Sequence, residues 1–83
     1  MQEPVFLHRE PLCDYVSGKI IELIKDRNLA PGDRIPSEAE LTEMLAVGRS
    51  SVREATKALV SANVLEIRRG KGTFICRRPS LPE

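Results

Sequence analysis

The 83-residue sequence has no tryptophan, one tyrosine and two phenylalanines. Single-stranded nucleic acid is usually held by bases stacked on aromatic side chains. Phe6, Tyr15 and Phe74 are too few for such a platform, and the pattern places Tyr15 and Phe74 at helix-period and strand positions assigned to the core. The one histidine, His8, lies among ten N-terminal residues without a usable pattern, which read as an arm. No serine, cysteine or aspartate therefore has a nearby imidazole to serve as its base, and nucleophilic catalysis lacks its parts. Cys13 and Cys76 are too few and too widely spaced for a zinc site; they read as buried or half-buried free thiols in a reducing cytoplasm. No run of about 20 apolar residues is present to span a membrane. The N-terminus shows no basic leader followed by an apolar stretch, so a secretory signal is not expected.

What is there suits one small domain. Hydrophobic residues make up 41% and charged residues 30% of the chain, a globular balance rather than a disordered one. The net charge is only +1, but it is unevenly spread. Residues 1–48 carry five basic and nine acidic side chains, a net −4, whereas residues 49–78 carry eight basic and two acidic, a net +6. A phosphate backbone responds to the local patch and not to the total.

From Pro11, a residue suited to a first helical turn, Leu12, Val16, Ile20, Leu23 and Ile24 recur at steps of three and four. That is the apolar stripe of an amphipathic helix, with Asn28 as its stop before the Pro31-Gly32 turn. Gly18 within it lowers helix propensity and suggests the close approach of a neighbouring element. Arg34-Ile35 leaves room only for a very short strand. Arg34 has either an acidic neighbour or a phosphate as its partner, and the sequence leaves both open. Ser37-Glu38-Ala39-Glu40 reads as a capping box that starts a short second helix, with Leu41, Met44 and Leu45 on its apolar side. Glu38, Glu40 and Glu43 read as capping and solvated carboxylates rather than as a metal or acid–base set.

A third helix turns Val52, Ala55, Leu59 and Val60 inward and ends near Ala62-Asn63; Ser51-x-x-Glu54 also reads as a capping box, but Gly48 is the preferred N-cap because it brings Arg49 onto the first turn. Leu65 and Ile67 then alternate with Glu66 and Arg68 as a half-buried strand. Gly70-Lys71-Gly72 is a turn, and Thr73-Phe74-Ile75-Cys76 is rich in β-formers. The order is helix, helix, helix, hairpin: mainly α with a small β-hairpin, a winged helix-turn-helix.

Two helices joined by the short Ala46-Val47-Gly48 turn are the sequence form of a helix-turn-helix, whose second helix enters the major groove of double-stranded DNA. Arg49, Arg53 and Lys57 recur every four residues opposite the apolar stripe, with Ser50, Ser51 and Thr56 beside them. Arginine can grip guanine O6 and N7 or clamp a phosphate, and serine hydroxyls and free N–H groups at a helix start donate to phosphate. Arg68, Arg69 and Lys71 surround the glycines of the hairpin tip, where cations suit a narrow minor groove. A winged helix built for protein docking would expose apolar or aromatic anchors on this face instead.

Three spaced motifs carry a resemblance to the GntR family of regulators. Leu29-Ala30-Pro31-Gly32-Asp33-Arg34-Ile35-Pro36-Ser37-Glu38 resembles the family's first signature, Val47-Gly48-Arg49-Ser50-Ser51-Val52-Arg53-Glu54-Ala55 its recognition helix, and Gly70-Lys71-Gly72-Thr73-Phe74-Ile75 its wing. The resemblance covers about residues 11–76. It implies a transcriptional repressor or activator, with repressor preferred, that binds palindromic operators as a homodimer and answers to a small-molecule effector through a C-terminal domain beyond this chain. It implies base or phosphate contacts at Arg49 and Arg53, phosphate contacts at Ser50 and Ser51, and a minor-groove position for Gly70. Two departures stand out: Ala39 occupies a position where many members have arginine, and Gly48 one where many have serine or threonine. No enzyme activity, cofactor, metal or membrane role is expected. Residues 1–10 are expected as an arm, 11–76 as the DNA-binding domain and 77–83 as the start of a linker.

Overall fold

All three helices stop in the same way. In the computed structural model, which describes residues 11–76, α1 spans Pro11–Asp26, α2 Glu38–Leu45 and α3 Arg49–Ser61. Each is followed by one non-glycine residue with positive φ: Asn28 at 54°, Ala46 at 55° and Asn63 at 63°. The next N–H then reaches back five residues, from Leu29 to the carbonyl of Ile24, from Val47 to Thr42 and from Val64 to Leu59. This Schellman closure satisfies carbonyls that a helix end leaves without partners. Leu29, Val47 and Val64 each follow the left-handed residue, and all three pack on the core. The stops expected at Asn28 and Asn63 are found as read. The expected arm, with Phe6 and His8, and the expected linker at 77–83 lie outside the described residues.

The start of α2 is the reciprocal box. Glu40 N–H donates to Ser37 Oγ at 3.1 Å, and Ser37 N–H donates to Glu40 Oε1 at 2.8 Å. α3 begins at Arg49 with Gly48 as N-cap and no side-chain cap bond.

β1 (Leu65–Arg68) and β2 (Gly72–Ile75) form an antiparallel hairpin in which Leu65 pairs with Ile75 and Arg68 with Gly72. The short strand expected at Arg34-Ile35 is present as a single bridge from Arg34 to Phe74. It is extended by Ile35 N–H to Thr73 O and Ile75 N–H to Asp33 O, at 2.9 and 2.7 Å. The segment before α2 is thereby tied to the wing.

Val16, Ile20, Leu23 and Ile24 of α1, Leu41 of α2, Val52, Ala55 and Leu59 of α3, and Leu65 and Ile75 of the hairpin form one buried cluster. α1 makes its main packing contact with α3. Cys13 is buried at the α1 side of this cluster, Cys76 is half-buried, and both are free thiols.

Six expectations are corrected. Phe74, assigned to the core, is half-buried and outside the core cluster; it alternates with buried Ile75 along β2, faces the other side of the hairpin and carries the Arg68 guanidinium on its ring. Tyr15, assigned to the core, is 52% exposed; it sits one residue, about 100° of helix rotation, from Val16 and off the buried arc. Its ring instead lies 5.7 Å from Lys19 Nζ. Leu12, in the first turn of α1, is at the margin of that arc and exposed, while Cys13 takes the buried place. Met44 is exposed because α2 is short and packs mainly on α3, through a narrow stripe centred on Leu41. Ile67 is 60% exposed although Leu65, on the same strand face, is 1% exposed. Two residues carry a strand about 6.6 Å further, which takes Ile67 toward the wing tip and off the core. Gly18, finally, marks no close approach: a Cβ placed on it meets no atom within 4 Å.

Candidate nucleic-acid interface

The helical repeat that buries Val52, Ala55 and Leu59 brings Arg49, Arg53 and Lys57 to the exposed side of α3 as one row. Ser50 beside them is exposed, and Ser51 and Thr56 are half-buried. Ser50 and Ser51 also border a cavity of 160 Å³ that reaches Cys13 of α1.

The three cations of the row stand in different electrostatic settings. Among the described residues Arg49 has no ion-pair partner, although it helps to hold the Glu38 carboxyl below its ordinary value. Arg53 is held edge-on by Glu38 at the start of α2: Nε donates to Oε2 and Nη2 donates to Oε1, both at 3.1 Å. This fork, the largest influence on either group, lowers the Glu38 pKa below its ordinary value and raises that of Arg53. Lys57 Nζ lies 3.8 Å from Glu54 Oε2, both well exposed, a loose pair of little energetic consequence.

The wing shows the same division of labour. Arg68 donates through Nε and Nη2 to Glu66 Oε2, at 2.9 and 2.6 Å, and its guanidinium carbon lies 4.4 Å from the centre of the Phe74 ring. Glu66 and Phe74 are themselves cross-strand partners, so Arg68 fastens the two strands together. Arg69 and Lys71 at the tip are exposed, and among the described residues neither is ion-paired. Gly70 and Gly72 have φ of 77° and 125°, conformations that glycine adopts without the steric penalty of a Cβ. Lys71 N–H closes the turn on Arg68 O at 2.9 Å.

A groove of 310 Å³ joins these elements: Arg53, Thr56 and Lys57 form one wall, Ile67 and Thr73 another, and Glu38 a third. Its floor includes the apolar Ile35 and Leu41. The cationic row of α3 and the wing therefore open onto one side of the molecule. The groove itself is largely apolar, with the paired Arg53 and the exposed Lys57 on its α3 side.

One residue of this groove does not stand out in the sequence as a site candidate. Glu38 was read only as a capping and solvated carboxylate, because nothing in the local sequence places it fifteen residues from its arginine partner in space. Arg34, left open between a carboxylate and a phosphate, makes no ion pair among the described residues. Its side chain lies across the wing instead, over Gly72.

Residues 12–75 match the family described as bacterial regulatory proteins, gntR family. The chain belongs to the GntR family. It is 47% identical over 64 residues to the putative L-lactate dehydrogenase operon regulatory protein of Escherichia coli K12, a match covering 77% of this chain and 25% of that protein. It is 40% identical over 65 residues to the HTH-type transcriptional repressor NanR of Enterobacter sp. strain 638, covering 78% and 25% of the two. This GntR-family chain thus spans about a quarter of the length of the curated relatives it matches. Among solved structures, a GntR protein of Streptococcus agalactiae superposes with a TM-score of 0.78 at 38% identity, over 86% of this chain and 34% of that one. The DNA-binding domain of AraR, solved in complex with operator ORX1, superposes with a TM-score of 0.73 at 32% identity, over 92% of each chain. The fold is accordingly that of GntR winged-helix domains, and the relatives are transcriptional regulators rather than enzymes.

Proposed function

We propose that this chain is the operator-binding part of a transcriptional repressor, with α3 in the major groove of double-stranded DNA and the wing at the adjacent minor groove. The observation that carries the reading is the common groove bordered by Arg53 and Lys57 of α3 and by Thr73 of the wing. A helix and a loop that open on one side can follow one duplex together. The AraR domain bound to its operator supports it, since that domain shares the fold at nearly full coverage.

The residue roles follow from the electrostatic settings. Arg49, exposed and unpaired in the first turn of α3, reads base edges or clamps phosphate. Arg53 reads bases. Ser50, Ser51 and the free N–H groups behind Gly48 hold a phosphate. Lys57, Arg69 and Lys71 supply sequence-independent attraction. Gly70 and Gly72 bring the wing backbone against the groove, with Thr73 beside them. Arg68, tied to Glu66 and Phe74, stiffens the wing and adds a cation next to the backbone. Arg34, at the root of the wing, is a further phosphate contact.

The complete regulator, on this reading, is a cytoplasmic homodimer on a palindromic operator, controlled by a small-molecule effector bound elsewhere in the polypeptide. The domain itself carries no catalytic function. The test is a titration of fluorescent duplexes selected from a random library, at several salt concentrations. Arg49→Ala should lose about tenfold or more in affinity for the selected sequence. Lys71→Ala should weaken all duplexes alike and reduce the salt slope by about one ion. Wild-type-like binding by Arg49→Ala would contradict the recognition-helix assignment.

A further inference from the structure

Arg53 is the one cation of the α3 row whose guanidinium edge is already committed, and the partner that holds it comes from another helix. We infer that Glu38 is a positioning residue for base recognition, which by occupying the Nε–Nη2 edge of Arg53 leaves that arginine to meet a base pair with its Nη1–Nη2 end. The inference rests on the placement of α3 in the major groove and deepens it.

Geometry and donor count lead to this conclusion. An arginine on a helix surface has a long, freely rotating stem, and the Arg53 side chain is 56% exposed. Two parallel hydrogen bonds of 3.1 Å to the two oxygens of one carboxylate define both the position and the plane of its guanidinium. The guanidinium has five N–H donors. Glu38 takes the one on Nε and one on Nη2. Three remain, and the pair pointing away along Nη1 and Nη2 is parallel and correctly spaced for O6 and N7 of guanine. The side-on mode of gripping a base is closed, and the end-on mode is left open.

The holder is itself held. Glu38 is the first residue of α2, immediately after Ser37, whose hydroxyl and N–H are both engaged by Glu40. Leu41, one turn on, is 1% exposed in the core. The carboxylate that orients Arg53 therefore stands on a capped and anchored helix end, so the guanidinium takes its orientation from the core and not from its own stem.

The pairing also changes what Arg53 contributes to binding. An ion pair presents little net charge to an approaching phosphate backbone, so Arg53 adds little to sequence-independent attraction. That task falls to Arg69 and Lys71, which among the described residues have no ion pair, and to the loosely paired Lys57. Glu38 trades non-specific affinity for discrimination.

The experiment compares wild type, Glu38→Gln, Arg53→Ala and the double variant in two measurements, with thermal melting of each to confirm folding. The first is the base preference, position by position, among duplexes bound from a random-sequence library. The second is the salt dependence of affinity for a duplex lacking the selected motif. Arg53→Ala is expected to erase the preference at one base step, and Glu38→Gln to weaken it about tenfold at that same step alone. Glu38→Gln is also expected to bind the unselected duplex more tightly than wild type, with a salt slope steeper by up to about one ion. In the double variant, loss of Glu38 adds nothing to the loss of Arg53. The inference is overturned if Arg53→Ala erases the preference while Glu38→Gln leaves it intact, or if Glu38→Gln weakens every duplex equally. If Arg53→Ala leaves every base preference unchanged, the placement of α3 fails and the inference falls with it.

Discussion

Gly72 of the wing lies beneath the side chain of Arg34: a Cβ placed on the glycine would stand 2.9 Å from Arg34 Nε. The contact joins the segment that leads into α2 to the turn that carries Lys71. The arginine is flexible and can yield, so the steric conflict alone is cheap. The backbone is not, because φ at Gly72 is 125°, a region L-residues rarely adopt. Gly72→Ala should therefore lower stability by about 1–3 kcal/mol. Gly18 is the contrast. It is helical and exposed, with no atom near its missing Cβ, and Gly18→Ala should raise stability by about 0.5–1 kcal/mol. Urea unfolding of the two variants checks both signs.

Ala46 ends α2 in the left-handed region, at φ 55° and ψ 45°. A Cβ there costs about 1–2 kcal/mol, whereas glycine would add about 0.4–1 kcal/mol of unfolded-chain entropy. The first effect exceeds the second. Ala46→Gly should stabilise the domain by about 0.5–1 kcal/mol, readable as a rise in the denaturant midpoint with unchanged slope.

Leu65 and Ile67 share a strand face and differ in burial, 1% against 60% exposed. Leu65→Ala should cost about 2–5 kcal/mol through lost burial and the cavity left behind. Ile67→Ala should change stability by no more than about 0.5 kcal/mol. Equal losses in the two variants would contradict the described hairpin register.

The Glu40 carboxyl is held below its ordinary value of 4.5, chiefly by the Ser37 backbone N–H and then by the Ser37 hydroxyl. A depressed carboxyl stabilises the fold above its unfolded pKa and loses that contribution as pH falls through its folded pKa. The melting temperature should accordingly drop below about pH 4.5. Glu40→Gln keeps the capping geometry without the titratable charge, so its acid-side decline should be shallower. A decline as steep as wild type would show that the box does not respond to this carboxyl.

Local chemistry made much of this molecule legible in the sequence. Ser37 and Glu40 announce a helix start because the capping box is complete within four residues, and Asn28 and Asn63 announce stops because asparagine tolerates positive φ. The GntR motifs gave the fold and family. What escaped was set by tertiary geometry. Tyr15 and Ile67 have apolar character at apolar spacing, but where the core ends along a helix or strand is decided by the neighbouring elements. Ala46 gives no sign of its left-handed backbone. The Glu38–Arg53 fork joins two elements fifteen residues apart, and Arg68, which reads as one more wing cation, is taken up by Glu66 of its own strand and the Phe74 ring across the hairpin.

The central claim is that the outward row of α3 and the tip of the wing meet one duplex at once. The most direct measurement is an NMR titration of the isotope-labelled chain with a duplex selected from a random library, following the backbone amides. The account predicts that signals of residues 49–57 and 69–73 shift together and saturate at the same DNA concentration, while those of Tyr15 and Lys19 on the exposed side of α1 stay in place. Shifts centred on α1, with α3 and the wing unmoved, would contradict it.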